Sequence, residues 1–344
     1  MARVSIKDVA ARSGVAFQTV SKVLNGKGSV TPATRERILA AVAELGYVPD
    51  AQARSVRTRT TATIGVITID FSNTTIAQHV VGIEREARRH NRDVIITSVD
   101  EQGSDCERSL RILRERRVDG IIVNAPAVED REDIAELLRT GPPTVSLHHL
   151  PGDNHTLVHS DGRASALLPV RHLLALGHRR IAMVTGWSAR RISHVRHQAY
   201  VQALEEAGID YDPALVEEGR WDVDEAYRAT HRLFDRSGDI TAVFAQNDQM
   251  AIGVLSALHD RGLRVPADCS VIGCDDIPIA TQTIPPLTTV RVPFYEAGET
   301  AVRVLLALLA QDTSQPQTDS DQAPRDVVLP VHMVYRSSTG PVPE

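Results

Sequence analysis

Three polar side chains follow short apolar segments, at positions suited to binding a small polar ligand. Asn247 follows AVFA, Asp275 follows SVIGC, and Arg196 lies on the loop or helix after RIAMVTG. If these segments are parallel strands, a ligand is expected beyond their carboxyl ends. A carboxylate, an amide and a guanidinium suit a ring of hydroxyl groups, which both donate and accept hydrogen bonds. The pattern predicts a cleft for a polyol; the alternatives are a helix cap for Asp275 and a surface ion pair for Arg196.

The other reactive side chains lack the spacing of a metal or catalytic site. The thirteen histidines are densest at His148-His149 and at His194 and His197, without the neighbouring ligands of a motif such as HExxH. The sequence contains no nucleophile elbow, P-loop or GxGxxG run. The three cysteines form neither a CxxC pair nor a disulfide framework. We expect no metal, no cofactor and no enzyme activity.

The first fifty residues carry the start and stop signals of three short helices. Ser5-Ile6-Lys7-Asp8 fits a capping box, and Gly14 can end that helix in a left-handed conformation. A second helix is predicted from Phe17 to Asn25, and a third begins after Thr31 and ends before Gly46. The short connection between the first two helices is typical of a helix-turn-helix.

In a helix-turn-helix, the second helix lies in the major groove of DNA. Its outward residues here are Phe17, Gln18, Ser21, Lys22 and Asn25. Gln bonds adenine and Lys reaches guanine, so this face can distinguish bases. Residues 1–60 contain ten basic and four acidic side chains, a net of +6, which leaves 28 basic and 40 acidic, a net of −12, for the rest. A basic head on an acidic body favours a polyanion partner over a packing module that contacts nothing.

From Thr63 onward, short apolar strands alternate with amphipathic helices. The predicted strands are TIGVITI, DVIITSV, GIIV and TVSL, followed by RIAMVTG, AVFA and SVIGC. The predicted helices cover 76–89, 110–117, 134–139, 200–207 and 248–261. This repetition predicts two doubly wound α/β lobes with parallel sheets. The polar run 311–325 is expected to be a loop, 327–334 the last strand, and Pro169 a kink in its helix.

The 344 residues, 42% of them hydrophobic, suggest more than one domain. The sequence has no run of about 20 apolar residues that could span a membrane. MARVSIKDVAARSGV lacks the apolar stretch of a signal peptide. We therefore expect a cytoplasmic protein that does not associate with membranes.

Several short motifs combine these features in a family-specific way. In the N-terminal segment they are Ile6-Lys7-Asp8-Val9-Ala10, Gly14-Val15, Thr19-Val20-Ser21, Val23-Leu24-Asn25, Thr34-Arg35, Leu45-Gly46-Tyr47 and Pro49. In the body they are His172-Leu173, Leu176–Ala182, Gly186, Asn247-Asp248, Gly253, Ser270–Gly273, Asp275-Asp276 and Pro286–Val290. With these motifs the sequence resembles the lac repressor family of bacterial transcription factors. The resemblance implies a three-helix DNA-binding domain and a two-lobed body similar to periplasmic sugar-binding proteins.

The resemblance also implies which residues contact DNA. In the three-helix domain they are Ser5, Phe17, Gln18, Thr19, Ser21, Lys22, Asn25 and Thr34. Residues 50–61 correspond to a hinge, in which 51–57 become helical on DNA and enter the minor groove. Its contact residues are Ala53, Arg54, Val56 and Arg57. The family usually has Leu at the wedge position of Val56 and a capping Ser at the position of Ala16, so both contributions are expected to be weaker here.

In the body, the resemblance implies that Arg196, Asn247 and Asp275 bind a sugar effector. Trp221 corresponds to an aromatic residue that stacks on the sugar, Phe294 to an apolar residue of the cleft, and His148 to a polar contact. A galactoside is one candidate effector. The alternatives are another glycoside or a plant-derived oligosaccharide.

The expected domains are a helix-turn-helix at 1–49, a hinge at 50–61 and a two-lobed ligand-binding and dimerisation domain at 62–344. The first lobe is expected at about 62–160 and 292–325, and the second at about 161–291 and 326–344. Leucine heptads, which could form a four-helix tetramerisation tail, do not follow Thr339. We therefore expect a homodimer rather than a tetramer. Together with these features, the resemblance implies a nucleoid-associated repressor released from operator DNA by a small sugar. The alternatives are a ligand that acts as co-repressor, a sugar receptor without DNA function, and an enzyme on a similar fold.

Overall fold

A computed structural model describes residues 4–24, 29–47, 60–152, 155–311 and 326–343. The chain divides into two compact units, Met1–Thr61 and Ala62–Glu344. The predicted hinge falls almost entirely within 48–59, outside the described residues.

The first unit contains the three predicted helices, α1 (Ile6–Ser13), α2 (Phe17–Leu24) and α3 (Pro32–Leu45). The Asp8 carboxylate accepts hydrogen bonds from the Ser5 backbone at 2.8 Å and from the Ser5 hydroxyl at 2.7 Å, which fixes the start of α1. Gly14 and Gly46 end α1 and α3 in the left-handed conformation, as predicted. The helices enclose a small core: Val9, Ala10, Val20, Val23, Ile38 and Ala41.

The second unit contains two α/β lobes. The strands of the first lobe are β1 (Thr63–Thr68), β2 (Asp93–Ser98), β3 (Gly120–Asn124), β4 (Thr144–Ser146), β5 (Thr156–Ser160) and β11 (Asp326–Leu329). They form one parallel sheet in the order β11-β5-β4-β3-β1-β2. Alternate side chains face opposite sides: Ile64 and Val66 lie in one core and Ile67 in the other.

Helices cover both faces of this first sheet. They are α4 (Thr74–Arg89), α5 (Cys106–Glu115), α6 (Glu132–Arg139) and α11 (Phe294–Ala310). α4 and α11 cross through two glycines: a Cβ on Gly82 would lie 2.1 Å from the carbonyl oxygen of Tyr295, and one on Gly298 would lie 2.2 Å from that of His79. Any larger side chain at either position would push the two helices apart.

The second lobe repeats the architecture with four parallel strands. They are β6 (Ile181–Thr185), β7 (Val216–Glu218), β8 (Ala242–Ala245) and β9 (Ser270–Ile272), in the order β7-β6-β8-β9. Its helices are α7 (Ala164–Ala175), α8 (Arg191–Glu206), α9 (Val223–Arg236) and α10 (Asp248–Asp260). Pro169 lies buried inside α7, which continues through it. Both faces of this sheet bury a core, so the second lobe is also doubly wound.

The chain passes between the lobes near Asp161 and again near Val292, as predicted. The third crossing differs from the prediction. β11 belongs to the sheet of the first lobe, whereas β12 (His332–Val334) pairs antiparallel with β10 (Thr289–Arg291). The single strand expected at 327–334 is therefore two strands separated by Pro330, and the crossing lies there rather than at the expected lobe boundary between 325 and 326. Proline interrupts the strand because it has no N–H for the ladder.

The boundary of the first lobe changes accordingly. Residues 326–329, expected in the second lobe, belong to the first. Three strands, β5, β7 and β10, were not predicted from the sequence. β7 and β10 have three residues each, and β5 lies beside the polar stretch around His155, so none shows a clear apolar run.

Candidate ligand and nucleic-acid sites

Arg196 extends from α8 into the interior of the second lobe. The residue is 5% exposed. Its Nε donates to Ser165 Oγ at 2.9 Å, and one terminal nitrogen donates to the Gln246 carbonyl oxygen at 2.5 Å. These two bonds fix the plane of the guanidinium and leave its other terminal nitrogen directed towards Asp275, at 3.8 Å from Oδ1. The alternative of a surface ion pair for Arg196 is thus excluded, because both partners are buried.

Asp275 follows β9 in an unusual backbone conformation. Its φ is 121°, and its backbone N–H donates to the Val290 carbonyl oxygen at 2.8 Å. Burial raises the pKa of Asp275 to about 7, although the positive charge of Arg196 acts in the opposite direction. The structure therefore holds a buried carboxyl group that is not fully compensated within the protein. Such a group favours a ligand that donates hydrogen bonds to it.

Asp248, which was not among the predicted site residues, supports the loop that carries Asp275. Its carboxylate accepts a hydrogen bond from the Ile277 backbone at 2.9 Å and another from the Thr289 hydroxyl. Its own backbone N–H donates to the Cys274 carbonyl oxygen at 2.7 Å. Burial, followed by the charge of Asp275, raises the pKa of Asp248 well above its ordinary value. The only sequence signal was its position in the Asn247-Asp248 motif.

Asn247 is the N-cap of α10. Its Oδ1 accepts a hydrogen bond from the Met250 backbone at 2.8 Å, so the amide oxygen is already used within the protein. The preceding residue, Gln246, is fully buried and was not selected from the sequence. Gln246 accepts from the Gly186 backbone at 2.9 Å and donates to the Ser193 carbonyl oxygen at 3.1 Å. It therefore joins β8 to the loop before α8.

Trp221 lies beside Arg196 and Gly186. The centre of its ring is 5.8 Å from the guanidinium carbon of Arg196. A Cβ on Gly186 would lie 2.0 Å from the indole ring, so only glycine allows this approach. Arg196, Asp275 and Trp221, three of the six predicted ligand residues, thus form one cluster at the carboxyl ends of β6, β7 and β9.

Two of the three remaining predicted ligand residues, His148 and Phe294, belong to the first lobe and adjoin His79. The ring centre of His79 is 6.2 Å from that of His148 and 5.3 Å from that of Phe294, both edge to face. Phe294 also packs against the core of the second lobe. His79 was missed because its position on α4 matches an ordinary core position.

The histidines of this group differ in their partners. His79 Nδ1 lies 2.9 Å from the Asn124 amide oxygen, and burial lowers the pKa of His79 to about 3, with His148 adding to the effect. His79 is therefore neutral at neutral pH and donates from Nδ1. His148 Nδ1 lies 3.6 Å from a Glu129 carboxylate oxygen, and its buried Nε2 has no hydrogen-bond partner among the described residues. An additional donor or acceptor from a ligand would satisfy this nitrogen.

In the first unit, the predicted base-reading positions lie on α2. Phe17 is 53% exposed, and Gln18 and Lys22 are also exposed, four residues apart on one helix face. The Ser5 hydroxyl is bonded to Asp8, and the Thr31 hydroxyl donates to that of Thr34 at 2.9 Å. Thr19 and Ser21 are half-buried. The remaining predicted DNA contacts lie outside the described residues: Asn25, Ala53, Arg54, Val56 and Arg57.

No cluster of three potential metal ligands occurs among the described residues. Cys106, Cys269 and Cys274 are buried and free, and burial raises the pKa of each thiol. A cavity of about 700 Å³ lies against α6 in the first lobe and contains none of the predicted site residues. Its lining includes no cluster of buried polar groups comparable to that around Asp275.

Two family models match the chain. Bacterial regulatory proteins of the lacI family match residues 5–50, and the periplasmic binding protein-like domain matches residues 170–339. The HTH-type transcriptional regulator GalS of Salmonella typhimurium (strain LT2) is 36% identical over 306 residues, covering 88% of this chain and 89% of GalS. The chain belongs to the LacI family of bacterial regulatory proteins.

Two solved structures of this LacI-family architecture each cover 98% of the chain. A lac repressor dimer bound to operator and the anti-inducer ONPF has a TM-score of 0.87 and 31% identity, covering 98% of this chain and 100% of that chain. A complex of the transcriptional regulator CelR with cellobiose has a TM-score of 0.71 and 30% identity, with the same coverage. The predicted family and fold class are confirmed. No described helix of this LacI-family chain is long and apolar enough to cross a membrane.

Proposed function

We propose that this chain is a transcriptional repressor that binds operator DNA as a homodimer and is released by a small sugar. Residues 1–49 bind DNA, 50–61 form the hinge, and 62–344 bind the effector and the second copy. The protein acts in the cytoplasm at the nucleoid, without enzyme activity or a cofactor. Within 62–344, the first lobe comprises about 62–160 and 292–329, and the second lobe comprises about 161–291 and 330–344.

The observation that carries the ligand part is the buried pair of Arg196 and Asp275 beside Trp221. Sugar hydroxyls donate to a carboxylate and accept from a guanidinium, while the apolar face of a sugar ring packs on an indole. His148 offers a further buried nitrogen from the opposite lobe. The cellobiose complex of the similar CelR supports a glycoside as the ligand class.

The DNA part is supported by the exposed side chains of α2 and by the +6 charge of residues 1–60. Gln18 and Lys22 are placed to contact base edges, and basic side chains of the hinge would contact phosphates and the minor groove. The similar lac repressor is a dimer bound to operator, which favours two half-sites in a pseudo-palindrome.

The two functions are coupled through the position of the lobes. A sugar that contacts Arg196 and Asp275 in one lobe and His148 in the other favours a closed cleft. If the closed body disfavours the hinge helix, operator affinity falls when the sugar binds. Linkage then requires that operator lowers the affinity for the same sugar by an equal factor.

Operator selection from random and genomic DNA, followed by calorimetry with mono- and disaccharides, tests this proposal. We expect an inducing sugar that binds more weakly in the presence of operator. Asp275→Ala should lower the affinity for that sugar roughly ten- to hundredfold, because a hydrogen bond to a charged group is lost. Operator affinity should be unchanged. An equally tight sugar complex of the variant would disprove the cleft assignment. A ligand that strengthens operator binding would establish the co-repressor alternative. Sugar binding without DNA binding would establish the receptor alternative.

A further inference from the structure

The loop between β6 and α8 contacts both lobes of the second unit. Its last residue, Arg190, belongs to the second lobe. One terminal nitrogen of Arg190 donates to the Pro126 carbonyl oxygen at 3.1 Å, and the other to the Glu101 carbonyl oxygen at 2.8 Å. Pro126 and Glu101 follow β3 and β2 of the first lobe. A single side chain thus bonds to two loops on the opposite side of the cleft.

The guanidinium of Arg190 is held in this direction by its own lobe. Its carbon lies 4.9 Å above the centre of the Trp187 ring. The Trp187 carbonyl oxygen accepts a hydrogen bond from the Ser193 hydroxyl at 2.8 Å, and the Ser188 backbone donates to a Glu218 carboxylate oxygen at 2.9 Å. The loop is therefore organised before it meets the first lobe, which reduces the entropic cost of forming the two bonds.

The surroundings of Arg190 are not those of an ordinary surface arginine. Burial lowers the pKa of its guanidinium, while the charges of Glu129 and Glu101 act in the opposite direction. Both hydrogen-bond acceptors are backbone carbonyls of the other lobe, and the geometry requires the lobes to be close. If the lobes move apart, this half-buried group loses both bonds at once.

The same loop is connected to the ligand cluster. Gly186 precedes Trp187 and lies against the indole of Trp221. The Ser193 hydroxyl donates a hydrogen bond to the Trp187 carbonyl oxygen, and the Ser193 carbonyl oxygen accepts one from the Gln246 side chain. The Gln246 carbonyl oxygen in turn accepts a hydrogen bond from Arg196. A change in the ligand cluster can therefore alter the position of Arg190, and a change at Arg190 can alter the ligand cluster.

We propose that Arg190 is a positioning residue for effector binding, which stabilises the closed arrangement of the lobes by bonding Glu101 and Pro126 across the cleft. This inference rests on the proposed effector site, but the closure itself can be measured without any effector. Arg190→Ala removes both bonds, and Arg190→Lys retains the charge but not the paired geometry of a guanidinium. Arg191→Ala, in the exposed neighbouring residue, is the matched control.

The first experiment measures the distance between spin labels on the full-length protein without ligand. Labels replace Glu132 in the first lobe and Glu205 in the second, both exposed. We expect a population at longer distance in Arg190→Ala, less of it in Arg190→Lys, and none beyond wild type in Arg191→Ala. An Arg190→Ala distribution equal to that of wild type would overturn the proposal, whether or not a sugar binds.

The second experiment titrates cellobiose, lactose and galactose into the same unlabelled proteins. For the sugar that binds wild type best, we expect a ten- to hundredfold weaker complex with Arg190→Ala and an intermediate loss with Arg190→Lys. Unchanged affinity in Arg190→Ala would refute the contribution to effector binding. Failure of every sugar to bind wild type would count against the proposed effector class, while the label distances would still decide the role of Arg190 in closure.

Discussion

Replacing Asp275 with Asn should stabilise the protein in the absence of effector, and the gain should depend on pH. Asp275 is 7% exposed, and burial raises its pKa from 3.8 to about 7. The folded protein therefore binds this proton more tightly than the unfolded chain does. As the pH rises from 3.8 to about 7, the unfolded chain ionises first, so wild-type stability falls through this interval.

The magnitude follows from the difference in pKa. One pKa unit corresponds to about 1.4 kcal/mol, so an increase of roughly three units costs at most about 4 kcal/mol above pH 7. Asn has the shape of the protonated carboxyl group and avoids this cost at every pH. Between pH 5 and pH 8, the advantage of Asp275→Asn in the free energy of unfolding should grow by about 2–3 kcal/mol.

Urea unfolding at several pH values from 5 to 8 measures this difference. Asp235→Asn serves as the control, because the Asp235 side chain is 70% exposed and its ion pair with Arg261 lies at the surface. We expect little change in that variant at any pH. The reasoning would be refuted if Asp275→Asn were less stable than wild type at pH 8, since the attraction of Arg196 would then exceed the cost of burial.

Three further predictions concern other parts of the chain. Gln18→Ala and Lys22→Ala should each cost about 1–3 kcal/mol on the selected operator and little on random DNA; equal losses in gel-shift titrations would argue against base reading. Val56→Gly should remove most operator affinity, and residues 51–57 should gain protection from hydrogen exchange only on operator; protection in the free protein would contradict folding on DNA. Gly298→Ala should lower the free energy of unfolding by about 1–3 kcal/mol, because its Cβ meets a backbone carbonyl. Gly238→Ala, where a Cβ meets nothing within 4 Å, should be nearly neutral in the same denaturation experiment.

Local signals in the sequence were sufficient to predict most elements of the fold. Thr31, Pro32 and Gly46 gave the limits of α3, because helix caps depend only on neighbouring residues. Most strands of both sheets were predicted from short apolar runs, but β5 and β7 were not. Asp275 and Arg196 were expected to converge, because the carboxyl ends of parallel strands lie at one edge of a sheet.

The remaining features depend on contacts between distant parts of the chain. His79 has the spacing of a core residue on α4, and its place beside Phe294 arises only when α11 crosses α4. The two bonds of Arg190 require the lobes to be positioned relative to each other. The break at Pro330 was visible in the sequence, but assigning its two sides to different lobes needs the pairing of β11 with β5 and of β12 with β10.

The late position of β11 in the chain has a consequence for synthesis. β11 is the edge strand beside β5, yet the second lobe lies between them in sequence. During synthesis, the sheet of the first lobe lacks one strand until residues 326–329 have left the ribosome. The second lobe is complete only when Ser338 has been made, because its carbonyl oxygen accepts a hydrogen bond from the Val271 backbone. The three-helix unit is complete once residue 47 has been made. A message truncated near its end would thus yield a complete three-helix unit on an unfinished body.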